Sequence, residues 1–270
     1  MKCGILFFRL TSLELGILLF GGLLGATAVG ALLGRRVRHR SDTLKEPFGV
    51  LQAALLGVVG LLLAFGLSLA VSRYEDRRAN VVSEANAIGT AYLRAQTLAE
   101  PMRGRSLGLL VDYARTAVSV SDHVPGSGGQ RAAVAKEERA ERRLWSLAGQ
   151  ALDRAPTASA PRLYVESLNE MFDDETARVL ALGNRVPTAV LALEVLGSAF
   201  ALGLLAAFLA IAGRGEVAVV LASALVAFLL LVTFDLDRPT RGLIRVPDGA
   251  LTSQLASMTL PPAAAGPRSP

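Results

Sequence analysis

The sequence has very few of the residues that most often carry catalysis or bind metals. Among its 270 residues there is one cysteine, Cys3, and there are two histidines, His39 and His123. A single cysteine excludes an intramolecular disulfide, and this set is too small for a usual Cys/His zinc site. There is also no Walker-type or dinucleotide-binding glycine loop and no nucleophile elbow. We therefore expect neither an enzyme nor a bound cofactor or metal ion.

The hydrophobic residues, 52% of the chain, are concentrated in four blocks at 10–33, 48–71, 188–212 and 217–234. Each block is long enough to cross the hydrocarbon core of a bilayer, which takes about 20 helical residues. Short polar loops join them in pairs, which predicts two hairpins. For the first block a cleaved signal peptide is the alternative, because Ala26-Thr27-Ala28 resembles a cleavage site. The basic segment at 35–40 follows at once and favours a span, since such a cluster retards export.

The fold class predicted from these blocks is an all-α membrane protein with four transmembrane helices. A helical extramembrane domain is expected between the second and third spans. The second span meets no helix breaker until Pro101, and Val81, Ala85, Ile88 and Tyr92 keep to one helical face. It is therefore expected to continue as one helix to about residue 94. The predicted divisions are 1–71 for the first hairpin, 72–186 for the extramembrane domain, 187–236 for the second hairpin and 237–270 for a C-terminal segment with a disordered tail.

The charges favour a lipid bilayer, and not nucleic acid, as the partner. Residues 72–186 carry 16 Lys/Arg and 15 Asp/Glu, a net charge of only +1, so most of the net charge of +5 lies in the flanks of the spans. The scarcity of lysine is typical of GC-rich bacterial genomes, so we expect a multi-pass protein of the bacterial inner membrane. Orientation stays open. The basic loop between the first two spans predicts a cytoplasmic side for that loop, but the opposite flanks are basic too.

Ionisable residues in or beside the spans are candidates for function. Glu194 lies about two turns into the third span, where it is either part of a pathway or near enough to the helix start to reach the head groups. A second group lies where the second and fourth spans end, and there we predict an ion-pair network at the membrane boundary. Its candidate members are Arg73, Arg77, Arg78, Glu84, Asp235, Asp237 and Arg238.

Other features have plainer interpretations. Glycine pairs such as Gly21 and Gly25 predict close helix packing in lipid. The acidic run Asp173-Asp174-Glu175 could bind a cation, but a solvated helix face is the favoured reading. Glu137 is likewise expected to pair with its helix neighbours on the surface.

Two long motifs resemble a bacterial bestrophin-like membrane protein family of unknown function. The first is Arg73-Tyr74-Glu75-Asp76-Arg77-Arg78 with the following VVSEANAIGTAYLR at 81–94, and the second is DLDRPTRGLIRV at 235–246. The segment LNEMFD at 168–173 also fits the family. The likeness covers about residues 15–258.

That family is distantly similar to the bestrophin anion channels, which are pentamers with a hydrophobic neck built from the second span. The resemblance implies a homo-oligomer, a pentamer if bestrophin-like, with small anions as possible partners. It places the neck here on Leu61, Phe65 and Ser68, and it does not imply calcium gating. The leading hypothesis is an oligomeric anion channel with the second span lining the pore. The alternative is a non-conducting membrane scaffold or sensor that signals through the helix continuing from that span.

Overall fold

The computed structural model describes residues 11–37, 45–213, 216–239 and 242–260. Cys3, His39 and the tail predicted to be disordered from residue 261 lie outside the described residues.

The described residues form eight helices and contain no strand, which confirms the all-α fold. The helices are α1 Ser12–Val37, α2 Lys45–Ala95, α3 Met102–Ser121, α4 Gly128–Arg154, α5 Ser159–Gly183, α6 Thr188–Ala212, α7 Glu216–Leu236 and α8 Gly249–Ser257. The short helix α8 has no counterpart in the sequence analysis.

Four stretches of helix are long and apolar enough to cross a membrane, and they agree with the four predicted spans. They begin at Ser12, Gly49, Ser159 and Val217. The third stretch runs from Ser159 to Ala212 and therefore takes in α5 as well as α6, and α6 is the part that matches the predicted third span. Helix α2 has 51 residues. At the usual rise per residue it is about 75 Å long, more than twice the thickness of the hydrocarbon core. The prediction that the second span continues well beyond the bilayer is therefore confirmed.

The chain divides into two compact units. The membrane unit comprises Met1–Tyr74 and Arg185–Arg245, and the extramembrane unit comprises Glu75–Asn184 and Val246–Pro270. In the membrane unit α1 packs closely on α6, where a Cβ at Gly30 or Gly34 would overlap backbone of Gly203 or Ala207. Around Gly21 and Gly25, in contrast, no described atom lies within 4 Å of an added Cβ. The sequence predicts close packing for the set of glycines in the first span, which includes Gly30 and Gly34, and the close approach is at those two, two to three turns after Gly21 and Gly25.

The extramembrane unit has its own apolar core. Leu110, Tyr113, Leu144, Tyr164 and Leu168 are completely buried in it. Helix α8 covers part of this core through Leu251, and the Tyr92 hydroxyl donates to the Met258 carbonyl at 2.8 Å. The segment after the last span is thus held against the extramembrane unit as far as residue 258.

Candidate functional site

The second span carries an exposed strip along one side. Leu61 is 57% exposed, Phe65 is 64% exposed, and Ser68 is exposed as well. Spacings of three and four residues put the three on one helix face. The strip continues past the span through residues that are also exposed, namely Ser72, Glu75, Ala79, Val82 and Asn86. The opposite side of the span is buried in the core of the membrane unit through Val59, Leu63, Gly66 and Ala70.

Glu194 is enclosed within the membrane unit. Only 1% of its surface is exposed, so it does not reach out toward the head groups. Its carboxyl group lies against Gly66 of α2, and a Cβ at Gly66 would overlap it. Neither carboxyl oxygen has a hydrogen-bond partner among the described residues, and the same holds for the hydroxyl of Ser198 one turn further along α6.

Asp235 organises the chain at the end of α7. Its carboxylate accepts hydrogen bonds from the Ser12 hydroxyl at 2.6 Å and from the amides of Leu243 and Ile244 at 2.7 and 2.8 Å. Gly242 has φ +127°, and a Cβ there would contact this carboxylate. The carboxylate therefore joins the start of the first span to the turn that follows the last one, and this turn requires glycine.

Asp237 has a similar role beside it. Its carboxylate accepts a hydrogen bond from the Val186 amide at 2.9 Å, next to the start of α6. The adjacent Arg238 is buried. Burial lowers the pKa of its guanidinium, and the nearby charges of Asp235 and Asp237 oppose that shift. These contacts fix the start of α6 beside the end of α7 on one side of the membrane unit.

The other members of the predicted boundary network fall mostly in the extramembrane unit. Arg77 donates to the carbonyls of Ala181 and Asn184, at 3.3 and 2.8 Å, and so caps the end of α5. A cation suits the negative end of a helix dipole. Arg78 makes an exposed pair with Glu75 at 3.7 Å. Arg73 is partly buried within the membrane unit. An ion-pair network joining all these residues remains a prediction.

Glu84, also placed in that network by the sequence, contributes to a buried cluster instead. Both its carboxyl oxygens contact the Arg178 guanidinium, one of them at 3.3 Å. Arg178 Nη2 also lies 3.1 Å from a Glu137 oxygen. All three side chains are at most 1% exposed. The cluster joins α2, α4 and α5 at the centre of the extramembrane unit.

The expectation that Glu137 and Glu175 lie on solvated surfaces is wrong, since Glu137 is 0% exposed and Glu175 6%. The signal was present in the helical register. Ala133, Glu137 and Leu144 share one face of α4, and Glu175 follows Leu168 and Met171 on the buried face of α5. At these two positions helical periodicity indicates burial correctly, whereas the charge of the side chain does not.

Burial controls the protonation of this cluster. Desolvation raises the pKa of Glu137 to about 9, and the Arg178 charge only partly offsets it. Burial also raises the pKa of Glu141 to about 7, and it raises that of the Tyr113 hydroxyl well above its ordinary value. Four acids interact here, namely Glu84, Glu137, Glu141 and Glu175, and the single guanidinium of Arg178 cannot neutralise four carboxylates. Protons on these acids must supply the rest of the charge balance. A proton on Glu137 also lets it act as a donor toward Glu175.

The two units define the class: an all-helical integral membrane protein with four spans and a helical extramembrane unit. The chain belongs to the bestrophin-like family, whose domain model matches residues 21–251. No curated protein sequence matches it.

Solved structures with the same fold include crystal structures of a bacterial bestrophin homolog from Klebsiella pneumoniae. The form solved by zinc phasing has a TM-score of 0.63 at 15% sequence identity, covering 87% of this chain and 98% of that one. A point variant of that homolog has a TM-score of 0.63 at 14% identity, with coverage of 88% and 98%. At these identities the likeness establishes the fold alone.

Proposed function

We propose that the protein is an oligomeric anion channel of the bacterial inner membrane, with α2 lining the pore. The observation that carries the proposal is the exposed strip of α2. Its apolar part at Leu61 and Phe65 leads into Ser68 and Ser72 and then into charged and polar positions beyond the span. Lipid would suit Leu61 and Phe65, but it would not suit the hydroxyl groups of Ser68 and Ser72 at the end of the span, and the charged positions beyond the span are in water in either case. A water-filled path through an oligomer suits both parts.

The composition of the strip agrees with passage of anions. Helix α2 has no acidic residue between Gly49 and Tyr74, so its span presents no fixed negative charge. Stacked apolar rings such as those that Phe65 would form in an oligomer gate by excluding water. The family resemblance adds the expectation of a pentamer and of small anions, chloride among them, as the conducted species.

Flux into liposomes tests the proposal directly. Purified protein reconstituted with a chloride gradient is expected to dissipate that gradient, while protein-free liposomes retain it. The Phe65→Ser variant is expected to raise the flux several-fold, because a polar ring holds water where an apolar ring excludes it. Phe228→Ser is the matched control, since Phe228 of α7 is 61% exposed but lies on another span. No anion flux from wild type or Phe65→Ser would refute conduction, and equal effects of both substitutions would refute α2 as the lining.

A non-conducting sensor is the second candidate, and the length of α2 favours it. A single helix of 51 residues joins the second span to the extramembrane unit without a break. Such a rigid element can transmit movement from one unit to the other. A monomer or dimer by native mass measurement, together with absence of flux, would favour this function, and five-fold symmetry would exclude it in favour of the channel.

A further inference from the structure

The inference concerns the enclosed carboxyl group of Glu194. An ionised carboxylate inside a membrane unit requires a cation or hydrogen-bond donors to offset its desolvation. Both oxygens of Glu194 are buried, and neither has such a donor among the described residues. The dipole of α6 is not a substitute, because its effect is confined to the first turn and Glu194 lies about two turns in.

The acidic groups at the same end of the membrane unit accept hydrogen bonds from other residues. Glu14 accepts from Thr11 at 2.7 Å, and the carboxylates of Asp235 and Asp237 accept the hydrogen bonds given above. The described cations at this end include Arg73 on α2, Arg185 just before α6 and Arg238 after α7. Among the described contacts, no ion pair or hydrogen bond joins any of these groups to Glu194.

The surroundings of Glu194 suit a neutral acid. Ser198 Oγ, also buried and without a partner, lies one helical turn away on the same face of α6 and offers an acceptor for an acid proton. Gly66 provides the space, because any side chain there would meet the carboxyl group. Gly66 of α2, the helix proposed to line the pore, thus lies directly against the Glu194 carboxyl group of α6.

We propose that Glu194 is a proton-binding site of the membrane unit, a neutral carboxylic acid when packed against Gly66 and an acid that releases its proton when that contact opens to water. The proposal depends on packing within the membrane unit and not on conduction.

Infrared spectroscopy of the protein in lipid tests the proton itself. At about pH 7, where a free glutamate is ionised, wild type is expected to show a carbonyl band of a protonated carboxylic acid that Glu194→Gln lacks. The protonated acids of the extramembrane cluster contribute equally to both spectra and cancel in the difference. Identical spectra in this region would overturn the proposal. A second result would also overturn it. If the melting temperature of wild type differs between sodium and choline salts and that of Glu194→Gln does not, then Glu194 binds a cation and not a proton.

A pair of glycine variants tests the contact independently of the proton. Gly66→Ala is expected to lower the melting temperature because its methyl group meets the Glu194 carboxyl, and Gly66→Ala with Glu194→Ala is expected to recover most of the loss. Gly60→Ala, on the same helix with no described atom within 4 Å of the added Cβ, is the control and should leave the temperature unchanged. Equal effects of Gly66→Ala with and without Glu194 would overturn the placement of the carboxyl group.

One consequence rests on the proposed function. If α2 lines the pore, the proton on Glu194 links the pore wall to pH, and anion flux should vary with pH in wild type and much less in Glu194→Gln. Flux with the same pH dependence in both would refute this link, whereas the infrared result decides the proton site whether or not the protein conducts.

Discussion

Arg178 connects three helices of the extramembrane unit. It is 1% exposed and contacts carboxylates from two other helices, Glu84 of α2 and Glu137 of α4. Removing one partner of a buried pair leaves an uncompensated charge, which costs about 3–5 kcal/mol. The protonation of the surrounding acids therefore sets how well these helices hold together.

Glu137→Gln is expected to make the stability of the protein less dependent on pH. The folded-state pKa of Glu137 is about 9 against an ordinary 4.5, so the folded protein keeps a proton that the unfolded chain releases. Wild-type stability therefore falls as pH rises between these values, and the loss is complete above the folded-state pKa. Glutamine keeps the acceptor for Arg178 but has no proton to lose. The melting temperatures of wild type and Glu137→Gln should be similar at low pH. At high pH that of Glu137→Gln should be higher by a few degrees.

The neighbouring Glu138 provides the control for that measurement. It is exposed and pairs with Arg142 at 3.8 Å on the surface of α4. Exposed pairs contribute about 0–1 kcal/mol, so Glu138→Gln should follow the wild-type curve. Parallel curves for wild type and Glu137→Gln would contradict the proton assigned to Glu137.

Asp235→Ala is expected to destabilise the membrane unit strongly. The substitution removes the charged acceptor of two part-buried hydrogen bonds, from the amides of Leu243 and Ile244, and a hydrogen bond to a charged group contributes about 1.5–3 kcal/mol. A loss of about 3 kcal/mol or more should appear in denaturant unfolding in detergent. Ser12→Ala removes a single side-chain hydrogen bond to the same carboxylate and should cost only about 1 kcal/mol. Similar losses for both would mean that the turn after α7 does not depend on Asp235.

At the scale of elements, the packing of α1 on α6 distinguishes glycines that the sequence presents as equivalent. Gly30→Ala would place a methyl group into the Gly203 backbone, which cannot move without separating the helices. The methyl group of Gly25→Ala meets no described atom within 4 Å, and alanine is more favourable than glycine inside a helix. We expect Gly30→Ala to lower the melting temperature by several degrees and Gly25→Ala to leave it unchanged or raise it. A reversed order would show that α1 packs through its earlier glycines.

The same element shows what the sequence can and cannot predict. The four spans can be predicted because the length and hydropathy of a block are enough to identify a span. The continuity of α2 can be predicted because its sequence contains no helix breaker after the span. Which glycines touch a neighbour depends on the rotation of one helix against another, and a period shared by all glycines does not contain that information.

Two further differences have related causes. Helix α8 is only nine residues long and is weakly patterned, so packing of Leu251 on the core contributes more to it than its own propensity. The Arg178 cluster does not follow from the sequence, because the charges of Glu137 and Glu175 favour surface positions for both acids. A charged side chain is expected on the surface unless a buried partner of opposite charge is available. For Glu137 that partner is Arg178, which lies on another helix and cannot be identified from the local sequence.

For the whole molecule, the exposed strip of α2 must be covered by something in the membrane, and the proposed function assigns it to the pore of an oligomer. Because Cys3 is the only cysteine, Cys3→Ser gives a background without thiols in which single cysteines can be placed. Ser68→Cys on the strip is expected to react with a charged, membrane-impermeant thiol reagent and to lose most of its anion flux. Leu225→Cys is the control, because Leu225 is also exposed, at 62%, but lies on α7. A thiol facing hydrocarbon forms little of the reactive thiolate, so this variant should stay unmodified. An unreactive Ser68→Cys, or one that reacts without a change in flux, would remove the strip from the conduction path and leave lipid or a partner protein to cover it.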